Sequence, residues 1–383
     1  MEITEFESVQ HSFPCEQCGA QLQYKEGSQQ LACVHCGHLH DIVLSREPIV
    51  EYDFHSTLKH LPGGAPDAIS LSVKCHACSA EFEFDSDLHA DECPFCGTKI
   101  VVDAQQHRVI QPKALLPFRI DTREASAAYK KWLRRLWFAP NKLKKYARKE
   151  RQLNGVYVPY WTYDCDTDTR YSGQRGDIYQ VAQKVRVKVN GRITTQTRMV
   201  NKIRWTPASG AVRRSFDDVL VYATDSLPRS MARELAPWDL NELAPFQEEF
   251  LSGFQSEVYK VELDQGFDYA KQHMHPTIRQ DIRQDIGGDR QRINNSDTRY
   301  SRISFKHILL PFWIAGFRFR NKTYQFIVNA RTGEVQGDRP WSAIKIALAV
   351  LLAAAVAGTL AYFYMQGEMA GQFDTIVVPW NSY

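Results

Sequence analysis

Read for the spacing of its apolar residues, the chain falls into three parts. Up to about residue 104, short apolar stretches are threaded between cysteines, and units of this size cannot build an adequate apolar core. From Gln105 to Pro340 the pattern is that of a mixed α/β region. Tyr129 to Arg151 reads as a helix, strongly basic and broken at Pro140. Val181 to Val200 alternates about Asn190-Gly191, a hairpin signal. Glu242 to Tyr259 and Phe267 to Asp285 read as mainly helical, the second interrupted at Pro276. Ile303 to Val335 returns to strands, with turns at Asn321-Lys322 and Arg331-Thr332-Gly333. Three similar phrases, Leu116-Pro117-Phe118, Val158-Pro159-Tyr160-Trp161 and Leu310-Pro311-Phe312-Trp313, read as the starts of equivalent strands, where proline is tolerated.

The third part is a run of nineteen uncharged, nearly all apolar residues, Ile346 to Tyr364. About 20 such residues in a helix cross a hydrocarbon core of roughly 30 Å. Trp341 at one end, and Tyr362, Phe363 and Tyr364 at the other, match the aromatic belts of a spanning helix. Arg331, Arg339 and Lys345 precede the run, and only Glu368 and Asp374 follow it, so the positive-inside rule puts the N-terminal side in the cytoplasm.

Eight of the nine cysteines form four Cys-x-x-Cys pairs. Cys15, Cys18, Cys33 and Cys36 make one unit, and Cys75, Cys78, Cys93 and Cys96 make another, with fourteen residues between the pairs in each. Met1 to Gln10 is acidic and lacks the apolar run of a signal peptide, so a reducing compartment is expected, where disulfides are unfavoured. Duplicated pairs point to two tetrahedral thiolate sites, one structural zinc ion in each, with no open position for water. A thioredoxin-like redox site would need one such pair at a helix start, not four in matched sets. A rubredoxin-like iron centre uses the same ligands. Leu61-Pro62-Gly63-Gly64-Ala65-Pro66 between the units predicts two separate small modules. His35, His38, His40 and His76 read as solvent-exposed neighbours, and Cys165 as an ordinary buried thiol.

Net charge is +3 and says little by itself. From Cys75 to Ile100, Lys99 stands alone against Glu81, Glu83, Asp85, Asp87, Asp91 and Glu92, a surface that repels phosphates. Basic residues concentrate elsewhere: Lys130, Lys131, Arg134, Arg135, Lys142, Lys144, Lys145, Arg148, Lys149 and Arg151. Such a helix packs its apolar side and solvates its basic one. On a tethered protein that side suits anionic lipid, at about 1 kcal/mol per basic residue near the surface; nucleic acid ranks behind it. No phosphate-binding loop, dinucleotide fingerprint or nucleophile elbow is present, so no enzyme is expected. His273-Met274-His275 places its histidines on different sides of a helix, and Asp164, Asp166 and Asp168 share a polar strand face.

The four knuckles resemble those of bacterial double zinc-ribbon proteins, often labelled TFIIB-type zinc-ribbon or primosomal-helicase-like. The likeness continues through Trp137-Phe138-Ala139-Pro140, the run Gly155-Val156-Tyr157-Val158-Pro159-Tyr160-Trp161, the stretches 305–311 and 328–335, and Gly337-Asp338-Arg339-Pro340. Helicase activity would require a phosphate loop that the sequence lacks. The chain also resembles the YdjG-like membrane proteins. That resemblance implies recruitment or scaffolding at the bacterial inner membrane, with flotillin-like or phage-shock-type partners in envelope stress. The expected organisation is α+β: zinc ribbons at 1–46 and 73–104 joined by a linker at 47–72, a cytoplasmic body with antiparallel strands at 105–340, a transmembrane helix at 343–365 and an outer tail at 366–383.

Overall fold

The computed structural model describes residues 13–45, 48–60, 68–75, 78, 80–83, 93, 95, 104–140, 153–189, 192–319, 322–338 and 342–371. A small sheet comes first: β1 (Leu22–Lys25), β2 (Gln30–Cys33) and β3 (Leu39–Asp41), in that order. The next elements are β4 (Tyr52–Asp53) and helix α1 (Phe54–His60). A second small sheet has β5 (Ala68–Lys74) between β6 (Glu81–Glu83) and β7 (Ala104–Val109). Strand β8 (Ala114–Leu115) and helix α2 (Thr122–Arg135) lead into the main sheet. Its long strands are β9 (Asn154–Val189) and β10 (Arg192–Tyr222). After α3 (Arg229–Glu234) and the short strands β11 (Ala244–Pro245) and β12 (Gln255–Ser256) comes helix α4 (Leu263–Ile286). Strands β13 (Arg290–Phe319), β14 (Lys322–Asn329) and β15 (Val335–Gly337) complete the sheet, and α5 (Ala343–Gly371) follows.

The main sheet runs β10-β9-β13-β14-β15, antiparallel throughout that path. At about 3.3 Å per residue, the 36 residues of β9 extend on the order of 120 Å. Strand β13 accompanies β9 only as far as the pair Arg290 and Gly176. Beyond it, 177–189 and 192–204 continue as a two-stranded ribbon. Its strand ends pair Val189 with Arg192, the hairpin that Asn190-Gly191 predicts, although those two residues lie outside the described set.

Alternation along β9 and β13 sorts the core onto two faces. Tyr157, Leu309 and Trp313 join the cluster containing β1, β2, α2 and Phe250. Val156, Val158, Tyr160, Ile308, Leu310 and Phe312 join the cluster containing Val73, Phe82 and Phe95. Further along, Trp161, Tyr163 and Cys165 receive α4, whose inward stripe is Leu263, Phe267, Ala270, Met274, Ile278, Ile282 and Ile286.

Several expectations are corrected here. The cysteine units do not stand apart as modules, because their apolar residues belong to the cores on either face of the main sheet. The segment 242–259 is not helical: it makes two short 3-10 turns and two two-residue strands, and Phe250 and Phe254 pack against Tyr24. Helix α4 runs unbroken through Pro276, which is exposed. Helix α2 spans Thr122–Arg135, earlier than predicted, fixed by the Asp121 capping box; residues 141–152 lie outside the described set. Pro159 and Pro311 sit inside long strands rather than at their starts. Each has its missing N–H on the side where the neighbouring strand has just ended: Tyr160 is the last partner of β10, and Phe312 the last partner of β14.

Candidate metal centres

In the first unit the chain makes two matching tight turns. The Gly19 amide donates to the Cys15 carbonyl at 2.8 Å and the Gly37 amide to Cys33 at 3.0 Å. Both glycines adopt positive φ, +73° and +77°, which a side chain disfavours. The turns are tied back by Cys15 N–H to Ala20 O and Cys33 N–H to His38 O, at 2.7 and 2.8 Å. The result brings Cys15, Cys18, Cys33 and Cys36 together, all four sulfurs within 4.8 Å of one another. Cys15 and Cys36 stand 3.6 Å apart, Cys18 and Cys33 3.5 Å. Four sulfurs about 2.3 Å from a tetrahedral zinc ion would be separated by about 3.8 Å, so this set fits one such ion. The Cys36 amide, 3.5 Å from Cys33 Sγ, draws that thiol down to about 6, while hydrogen bonds among the neighbouring sulfurs push Cys18 and Cys36 up.

The unit is seated deeply. Tyr24 packs on Phe250 at 5.1 Å and donates its hydroxyl to the carbonyls of Ser28 and Phe118. The Tyr24 amide donates to Ser252 O at 2.9 Å, and the Ser252 hydroxyl to Leu22 O at 2.7 Å. Burial holds the Tyr24 phenol well above its ordinary range. Cys15 and Cys33 are buried by this seat, while Cys18 and Cys36 face solvent.

In the second unit Cys75, Cys78 and Cys93 also converge within 4.8 Å, with Cys78 and Cys93 at 3.6 Å. The Cys75 amide donates to Ala80 O at 2.8 Å, repeating the first knuckle's tie. Cys96, predicted as the fourth ligand, lies outside the described residues. Phe82 and Phe95 are fully buried, and Phe82 bridges to Glu257.

The remaining predicted residues separate clearly. Lys130, Lys131, Arg134 and Arg135 are exposed on α2, while Ala125, Tyr129 and Leu133 face inward. Lys142, Lys144, Lys145, Arg148, Lys149 and Arg151 lie outside the described residues. His35 and His40 are exposed, and so are His273 and His275; His76 is outside the described set. Cys165 is buried against Met274, 3.6 Å from its sulfur, and burial raises its thiol to about 11. Asp164, Asp166 and Asp168 share one strand face: Asp168 pairs with Arg213 at 2.8 Å, and Asp166 with Arg302 and Ser215.

One constellation was not visible in sequence order. Asp164 and Asp218 converge with Glu51 on the buried ammonium of Lys306, at 3.9, 2.8 and 2.9 Å. Burial, and a hydrogen bond shared with Glu51, raise the Asp164 carboxyl to about 7. The lysine itself supplies the cation for Asp164 and Asp218, two members of the three-aspartate group 164, 217 and 218. Glu51, Asp164, Asp218 and Lys306 are each more than 50 residues from the next in sequence, which is why no motif announces them.

Described residues thus define a mixed, mainly antiparallel protein with cysteine clusters at its N-terminal side and one apolar C-terminal helix. Among known proteins, the chain is similar to the uncharacterized protein YdjG of Bacillus subtilis (strain 168), at 21% identity over 337 residues. The similarity covers 88% of this chain and 92% of that protein. No protein-family model and no solved structure matches the chain.

Proposed function

We propose that this protein is a membrane-anchored adaptor: two structural zinc ions stabilise a cytoplasmic body that holds a protein partner at the bacterial inner membrane. The observation that carries this reading is the combination of deeply seated cysteine clusters with a terminal helix, Ala343–Tyr364, that has no buried residue and a mean hydropathy of 2.3. Cys15, Cys18, Cys33 and Cys36 would hold one ion, and Cys75, Cys78 and Cys93, with Cys96, the other. Four thiolates complete a tetrahedral zinc site, so the metal's part is to close the knuckles rather than to activate water. The lysine and arginine bias before the span orients the body toward the cytoplasm, and the resemblance to YdjG-like proteins points to flotillin-like or phage-shock-type partners.

The test is cross-linked co-purification from intact membranes, with the wild-type chain and with Cys33→Ser. A defined protein partner should be enriched with the wild type, diminished with the variant and indifferent to nuclease. The exposed basic residues of α2 favour a second reading, a membrane-linked nucleic-acid binder. Nuclease-sensitive, salt-dependent recovery of nucleic acid in place of a protein would establish it against the first.

A further inference from the structure

The turn that follows α2 is fastened to the first turn of α5. The Lys345 ammonium donates to the carbonyls of Trp137 and Ala139, at 3.1 and 2.8 Å. The Ser342 amide donates to Phe138 O at 2.8 Å, and the Ser342 carbonyl accepts the Ile346 amide at 3.0 Å, so the apolar helix begins at this junction. Lys345 is also the last charge before the uncharged run 346–364. On a spanning helix the border between water and hydrocarbon falls at such a charge. Three hydrogen bonds therefore hold residues 137–139 at the level of that border.

What the turn displays there matches the border. Trp137 is 81% exposed and Phe138 39%, while Ala139 is buried. An open indole gains little from water, but its apolar body and polar N–H suit the headgroup region. One turn earlier, Lys130, Lys131, Arg134 and Arg135 occupy adjacent rows of α2, away from the side gripped by Ala125, Tyr129 and Leu133. Among the described residues, no carboxylate pairs with any of the four.

We propose that Trp137, Phe138 and these four basic side chains form a second membrane contact beside the span, an anionic-headgroup surface that sets the body's angle to the bilayer. The occupant is lipid because the patch is continuous with the start of the apolar helix; the proposal rests on α5 being a span.

The test uses the full chain reconstituted into phosphatidylcholine vesicles, with and without phosphatidylglycerol, some lipid carrying bromine near the headgroup end of the acyl chain. Flotation with the vesicles reports the span. Quenching of tryptophan emission by bromine reports the contact, read as wild type against Trp137→Phe. The variant should float equally and lose part of the quenching. In the wild type, phosphatidylglycerol should deepen quenching at low salt, and added salt should reverse this. Replacing all four basic residues by Gln should abolish that lipid dependence without affecting flotation. Equal quenching of wild type and Trp137→Phe, with intact flotation, would overturn the contact alone. Failure to float would overturn the span and the contact together.

Discussion

Glu257 lies buried between the second knuckle's strand and the main sheet, where its carboxylate accepts the hydroxyls of Thr224 at 2.5 Å and Ser226 at 2.9 Å. Burial raises its carboxyl to about 8. From the ordinary carboxyl range up to pH 8, the folded chain keeps a proton that the unfolded chain has released. Stability should therefore fall as pH rises through that window. Glu257→Gln keeps the shape and removes the ionisation. Its melting temperature should match the wild type's near pH 5 and exceed it by several degrees at pH 8.5, measured by calorimetry. A variant melting lower at both values would mean that the carboxylate stabilises the fold. At the first cluster, Cys33→Ser removes one ligand of four. Elemental analysis of the intact protein should show bound metal dropping from two equivalents to one, because the two clusters draw on different sulfurs.

Helix α4 shows how an element is set by close approach as well as by its apolar stripe. A Cβ at Gly266 would stand 2.3 Å from the Tyr163 hydroxyl and 2.9 Å from the Trp161 ring. Those two side chains donate to the carbonyls of Leu263 and Val261, at 2.7 and 2.8 Å, where the helix begins. Gly266→Ala should push the helix off its seat and lower stability by about 1–3 kcal/mol, read from denaturant titration. Pro276→Ala should act in the opposite direction, restoring a donor in the helix interior. The stripe of α4 was legible in its spacing, and the hairpin was legible in Asn190-Gly191. The knuckles were legible because their ligands are close in sequence and glycine marks three of the four turns. The segment 242–259 was not: Phe246, Phe250, Leu251 and Phe254 recur at helical intervals, yet all four join the core around the first cysteine unit, where Tyr24 and Phe118, more than 100 residues earlier, hold Phe250 and Phe254. The Glu51–Lys306 pairing was hidden for the same reason, since 255 residues separate its partners.

For the molecule as a whole, the proposed anchoring makes the exposed apolar helix the element that would decide where the protein resides. Ending the chain after Pro340 should move it from the membrane to the soluble fraction with its melting transition retained, because the cores lie in preceding residues. A soluble chain that no longer melts cooperatively would show that α5 belongs to the fold. The seat of the first cluster has a consequence in time. Its ligands are complete at residue 36, whereas Phe118, Phe250 and Trp313, which share its core, are synthesised roughly 80 to 280 residues later. Throughout that interval the growing chain has its thiols but not the core residues that later cover them. A bound metal would fold the segment without its seat, so the supply of metal while the chain is being made, more than the affinity of the finished protein, would set how much of it folds.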